Sequence, residues 1–123
     1  MPVRSLNSSV LKWPDLNDVR SSLDKWAKRV LQIRRDIVKI GYFGSYARKD
    51  WGVGSDLDLV VVIKESGKPF YERPTEWDVM EIPVPVDLLI YTEEEFGKLR
   101  AENRRFYRQL EKEAVWIYPD NTQ

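Results

Sequence analysis

At 123 residues the chain has the length of one ordinary domain, able to bury roughly two-thirds of the surface its unfolded form exposes. Twenty Lys and Arg balance twenty Asp and Glu, so the overall charge announces neither a nucleic-acid binder nor a membrane-surface protein. Cys and His are both missing, which removes disulfides, thiolate chemistry, zinc-thiolate sites, triads and imidazole metal ligands and leaves any chemistry to carboxylates, hydroxyls and cations.

The balance of charge is uneven along the chain. Residues 1–50 carry eleven basic and five acidic side chains, and residues 51–123 carry nine and fifteen. Such blocks are usually solvated faces. No basic-then-apolar leader opens the sequence, and the longest apolar run, Leu59 to Ile63, is far too short to cross a bilayer. A cytoplasmic location is expected.

A single domain over 1–123 is expected, built from a helix at 15–36, a core at 37–91 and a helix with an edge strand at 92–118. The residues before Trp13 read as a loose arm. Leu16, Val19, Leu23, Trp26, Val30, Ile33 and Ile37 recur at steps of three and four, one apolar helical stripe with Asp15 as its N-cap. The stripe suits a coiled-coil seam or a helix lying on a sheet, and its length favours the sheet.

Ile37 to Phe43 is β-branched and aromatic and ends in Gly44-Ser45, a strand feeding a tight turn and then a short helix over Ser45 to Lys49. Leu57 to Ile63 is apolar on both faces in its later half, which places it centrally in a sheet. The middle of Glu65 to Pro85 resists assignment. Val84 to Tyr91 reads as another strand. Thr92 to Glu95 has the capping-box form, with Tyr91 and Phe96 as a hydrophobic staple. One long helix carrying Phe96, Leu99, Phe106 and Leu110 follows, and Ala114 to Tyr118 closes the chain as an edge strand.

Asp56 and Asp58 stand two apart where a strand begins, so both carboxylates point to one face. Hard oxygen donors side by side suit magnesium. Asp87 opens an otherwise apolar strand, where a buried unpaired carboxylate would cost several kcal/mol, on the order of 2 to 5, without a cation. Three such carboxylates match a two-metal phosphoryl-transfer arrangement. An isolated Asp-x-Asp is most often a surface turn or a cap. Its pairing with Gly44-Ser45, where backbone amides can face a phosphate, and with Arg48 one turn onward gives it weight.

Gly44-Ser-Tyr-Ala-Arg-Lys-Asp-Trp-Gly-Val-Gly-Ser-Asp-Leu-Asp-Leu59 resembles the Gly-Ser-x-Ala-Arg-Gly and Ser-Asp-x-Asp-Leu signature of the minimal nucleotidyltransferases, within the polymerase-β superfamily. The resemblance covers about Ile37 to Tyr91. It implies an α/β (α+β) fold with a mixed sheet flanked by helices. It also implies that Gly44, Ser45 and Arg48 bind a nucleoside triphosphate, that Asp56 and Asp58 hold two Mg2+ ions, and that Asp87 completes one metal site and helps deprotonate an acceptor hydroxyl. The chain departs from the signature at Lys49, where glycine is common, and in Trp51 to Gly54.

Members of this size often pair with a helical protein of the HEPN type as toxin and antitoxin, the nucleotidyltransferase adenylylating its partner. The expected function is therefore transfer of a nucleoside monophosphate, AMP from ATP, to a hydroxyl on a protein. A small acceptor would need a site completed by a second subunit. Two other readings compete. One is a binding module that retains the metal site but occludes a partner through exposed Trp13, Trp51 and Trp77. The other is nucleic-acid contact through Lys98, Arg100, Arg104, Arg105, Arg108 and Lys112, against which stand the neutral charge and the lack of an RNA-binding motif.

Overall fold

The computed structural model describes residues 13–119; the expected N-terminal arm lies outside them. Helix α1 spans Leu16–Ile33 and opens with a reciprocal cap, Asp15 accepting from the Asp18 amide at 2.8 Å while Asp18 accepts from the Asp15 amide at 3.3 Å. Val19, Leu23, Trp26 and Val30 are buried in one cluster with Ile40, Leu57, Leu59, Val61 and Ile63. The stripe is thus a sheet-packing face and not a coiled-coil seam. The helix stops three residues short of the expected boundary, because Arg34 is extended and Arg34 pairs with Asp36 in fork geometry at 3.0 and 2.8 Å. Ile37 then belongs to the sheet, and Ile33 is left 67% exposed.

The sheet is mixed and has four strands in the order β3-β2-β1-β4. Strand β1 is Ile37–Phe43, β2 is Leu57–Ile63, β3 is Val86–Thr92 and β4 is Val115–Tyr118. β1 runs antiparallel to both β2 and β4, and β2 runs parallel to β3. The central place of β2 follows from its two apolar faces. Leu57, Leu59, Val61 and Ile63 meet α1, while Val60 packs with Phe43 and Leu110 on the other side. Side-chain alternation therefore puts Asp58 on the Val60 face.

Between β1 and β2 a single helical turn, α2, covers Ser45–Arg48. The unassigned stretch after β2 contains a 3-10 helix over Phe70–Glu76. Arg73 within it is only 5% exposed and donates to the Ile90 carbonyl at 2.9 Å, the Lys68 carbonyl at 2.9 Å and both Glu95 oxygens at 2.6 and 3.0 Å. Buried charge is tolerated there because the carboxylate pairs with it and four of the five guanidinium N–H groups have acceptors.

The capping box of Thr92 and Glu95 forms as the sequence requires, and Tyr91 meets Phe96 with ring centroids 6.2 Å apart. The long helix expected next is two helices, α3 over Glu93–Ala101 and α4 over Arg105–Glu113. Asn103 takes a positive φ of 50°, a left-handed conformation Asn tolerates better than most residues, and the chain turns there. α4 can then lay Phe106 against Phe43, centroids 5.4 Å apart, and bury Leu110.

Candidate active site

The site grows from the end of β1. Phe43 is the register partner of Asp58, so the next residue, Gly44, sits against the Asp58 carboxylate. Gly44 has φ 77° and ψ −153°, a region essentially restricted to glycine. A Cβ built there would collide with Asp58 Oδ2. Glycine is thus required twice over, by backbone shape and by the approach of Asp58.

The Arg48 amide donates to the Gly44 carbonyl at 3.0 Å and the Asp50 amide to the Ser45 carbonyl at 3.0 Å, closing α2. Lys49, at the C-cap, has φ 66° and ψ 29°. This is the position where the signature commonly has glycine, and its left-handed backbone supplies the reason. Ser45 is half-buried at the head of the turn.

β2 and β3 align Asp58 with Asp87 as direct register partners on parallel strands. Asp56 precedes β2, and the Leu57 amide donates to the Pro85 carbonyl at 2.8 Å, tying the two strand entrances together. Burial pushes the Asp58 carboxyl up to about 6, with the like charges of Asp87 and Asp56 adding to the shift and Arg48 opposing it. The three aspartates named from sequence therefore act on one another.

The burial argument made for Asp87 fails, however. Asp87 is exposed at the start of an edge strand, and Asp58 is the carboxylate that bears the desolvation. Among the described residues, no cluster of three or more carboxylates is drawn together closely enough to hold an ion by itself. The fit to a divalent cation rests on donor chemistry: the three carboxylates offer oxygen ligands only, and the like charges of Asp87 and Asp56 bear on Asp58, with Arg48 opposing them in part.

Two residues enter that sequence reasoning missed, Glu113 and Gln109. Glu113, the last residue of α4, accepts from the Gly44 amide at 2.6 Å, from Arg48 Nη1 at 3.1 Å and from Gln109 Nε2 at 3.1 Å. Burial raises its carboxyl, but the hydrogen bonds from Gln109, Gly44 and Arg48 outweigh that and hold it below the usual range. Arg48 also donates from Nε to Asp50 at 3.1 Å. Nothing local marks Glu113, because its contact with Gly44 spans 69 residues.

The aromatic residues offered as exposed anchors are occupied. Trp77 is 8% exposed and carries Arg34 over its ring at 4.6 Å. Trp51 stacks on Tyr46 at 5.4 Å, and Trp13 donates to the Tyr46 hydroxyl at 3.0 Å. Both are half-buried. Among the described residues no helix is long and apolar enough to cross a membrane.

Comparison with known proteins bears on the family and the fold. The profile of the nucleotidyltransferase domain matches residues 23–119. A search of curated proteins finds no match. Among solved structures, a Sulfolobus solfataricus protein described as a candidate nucleotidyltransferase is similar, with a TM-score of 0.59 and 20% identity over 82% of this chain and 80% of that one. At that identity the likeness speaks for the fold. Because the profile spans most of the sequence and takes in the Gly-Ser turn and all three aspartates, the chain belongs to the nucleotidyltransferase domain family and fits its minimal members.

Proposed function

We propose that the protein is a Mg2+-dependent enzyme that transfers AMP from ATP to a hydroxyl on a protein partner, releasing pyrophosphate. The observation that carries this reading is the register pairing of Asp58 with Asp87, immediately beside a turn whose glycine cannot be replaced without striking Asp58. This adjacency of Asp58, Asp87 and the Gly-Ser turn supports the reading, in which the turn would face the phosphates.

Asp56 and Asp58 would hold two magnesium ions, with Asp87 completing one of the sites. Bound there, magnesium would neutralise the triphosphate and lower the pKa of the attacking hydroxyl. Gly44 and Ser45 would orient the phosphates through the backbone amide and the hydroxyl, and Arg48 would add a bidentate contact. Asp87, exposed to solvent and open to an acceptor, would help remove the proton from the incoming hydroxyl.

An acceptor on another protein is consistent with the small size of the chain, and a helical partner of the HEPN type, in an antitoxin role, is the specific form we favour. Calorimetric titration of ATP with and without Mg2+, beside Asp56→Asn/Asp58→Asn, tests the site. Magnesium-dependent binding that the double variant loses supports it. Labelled ATP with candidate partners then tests transfer. Tight partner binding unaffected by Asp58→Asn, with no label transferred, would favour a non-catalytic occluding module.

A further inference from the structure

A fourth carboxylate reaches the turn from the opposite end of the chain. Glu113 Oε2 receives the Gly44 amide at 2.6 Å and Arg48 Nη1 at 3.1 Å, and its side chain is only 13% exposed. Gln109, one turn earlier in α4, steadies the same oxygen at 3.1 Å. These are two of the groups assigned to the triphosphate, and a negatively charged oxygen already sits on both.

A backbone amide has one hydrogen, so a phosphate oxygen and the Glu113 carboxylate cannot both receive it at full strength. Arg48 is similarly engaged, with Nη1 on Glu113 and Nε on Asp50. A phosphate entering with Glu113 in place would also lie against a like charge. Resting on the nucleotidyl-transfer reading, we propose that Glu113 is an internal competitor for the phosphate seat, a carboxylate that fills the Gly44 and Arg48 donors in the free protein and swings away when the triphosphate binds.

The local backbone permits such a movement. Glu113 ends α4 and Ala114 is already extended, with φ −65° and ψ 139°, so a side-chain rotation frees the seat while the helix stays intact. Nucleotide affinity is then set lower than the bare turn would give, and Gln109 contributes by holding the competitor in place.

The test is calorimetric titration of magnesium-ATP into the full chain and its Glu113→Ala, Glu113→Gln, Gln109→Ala and Glu111→Gln variants, with the Gly44 amide followed by NMR. Loss of a charge-assisted competitor should tighten binding in Glu113→Ala by about tenfold. Gln109→Ala should move in the same direction by less. Glu111→Gln, an exposed charge change in the same helix, should leave affinity unaltered. Glu113→Gln keeps the shape and an acceptor oxygen, and covers the case in which Glu113→Ala fails to fold. Unchanged or weaker binding in the Glu113 and Gln109 variants would overturn the proposal and make Glu113 a positioning residue for Arg48. If the Gly44 amide resonance shifts in Glu113→Ala yet neither that variant nor the wild type binds magnesium-ATP, the nucleotide reading falls and the competition with it.

Discussion

Gly44 and Asp58 are in such close approach that a single added carbon on Gly44 would strike Asp58 Oδ2. The Gly-Ser turn and Asp58 are therefore held against one another by the pairing of Phe43 with Asp58 across β1 and β2.

Gly44→Ala should disrupt both halves of that unit. The backbone at φ 77° and ψ −153° is strained for alanine, and the collision adds to it, so a loss of about 2 kcal/mol or more is expected. Urea unfolding measures the loss, and calorimetry should show nucleotide binding weakened beyond what partial unfolding explains. A variant of unchanged stability would contradict the geometry.

Asp58 is predicted to act against stability at neutral pH when magnesium is chelated. Its carboxyl is pushed up to about 6 by burial and then by Asp87 and Asp56, so the folded state binds its proton more tightly than the unfolded state does. The stability this provides is complete below the ordinary carboxylate range and is lost as pH rises from about 4 through about 6. Discounted for partial exposure, the loss is roughly 1–2 kcal/mol. Denaturation in chelator across that window should show the decline in the wild type and a flatter profile in Asp58→Asn, which should also be the more stable of the two at pH 7. Asn replaces an anionic oxygen with a neutral amide, a weaker magnesium ligand, so under the proposed function stability and nucleotide binding should part company in this variant.

Arg73 tests a structural ion pair far from the turn. Arg73→Met removes the guanidinium donor from the Ile90 and Lys68 carbonyls and leaves Glu95 only the Thr92 amide, and a loss on the order of 3 kcal/mol is expected in thermal or chemical melts. Glu95 is held below the usual carboxylate range chiefly by its hydrogen bond with Arg73. Its contribution is therefore present at neutral pH and disappears as pH falls through that lowered value, a dependence that should be weaker in the variant, where only the Thr92 hydrogen bonds remain.

Lys49→Gly should stabilise the protein. Lys49 is held at φ 66°, where glycine avoids a Cβ penalty of about 1 kcal/mol. Partly offset by the greater entropy of glycine in the unfolded chain, a gain of roughly 0.5 kcal/mol should appear in the unfolding midpoint. Since the Lys49 side chain is exposed, nucleotide affinity should change little. A destabilised variant would mean that the lysine makes a contribution its backbone does not reveal.

Local pattern made much of the molecule legible. The α1 stripe, the capping box at Thr92, the two-faced apolar run of β2 and the edge position of β4 all follow from side-chain periodicity and hydrogen-bonding chemistry acting within a few residues. The same holds for the Gly-Ser turn and for Asp58 on a face of β2, whereas Asp56, expected on that strand as well, falls just before its first residue. Where local signals conflicted with packing, packing won. The apolar positions from Phe96 to Leu110 read as one helix, but Asn103 breaks it so that α4 can cover Phe43 and Val60.

What tertiary structure alone decided is how these pieces meet. Sequence could name three aspartates, but the register of β2 on β3 makes Asp58 and Asp87 neighbours, and edge exposure relieves Asp87 of the burial its apolar strand suggested. It could likewise offer Gly44 and Arg48 as candidate phosphate ligands, but only the fold brings Glu113 across 69 residues onto the Gly44 amide and against Arg48. Periodicity and capping act over one or two turns of chain and are written in sequence, whereas the charge that a carboxylate meets depends on which distant segments the sheet and its covering helices bring against it.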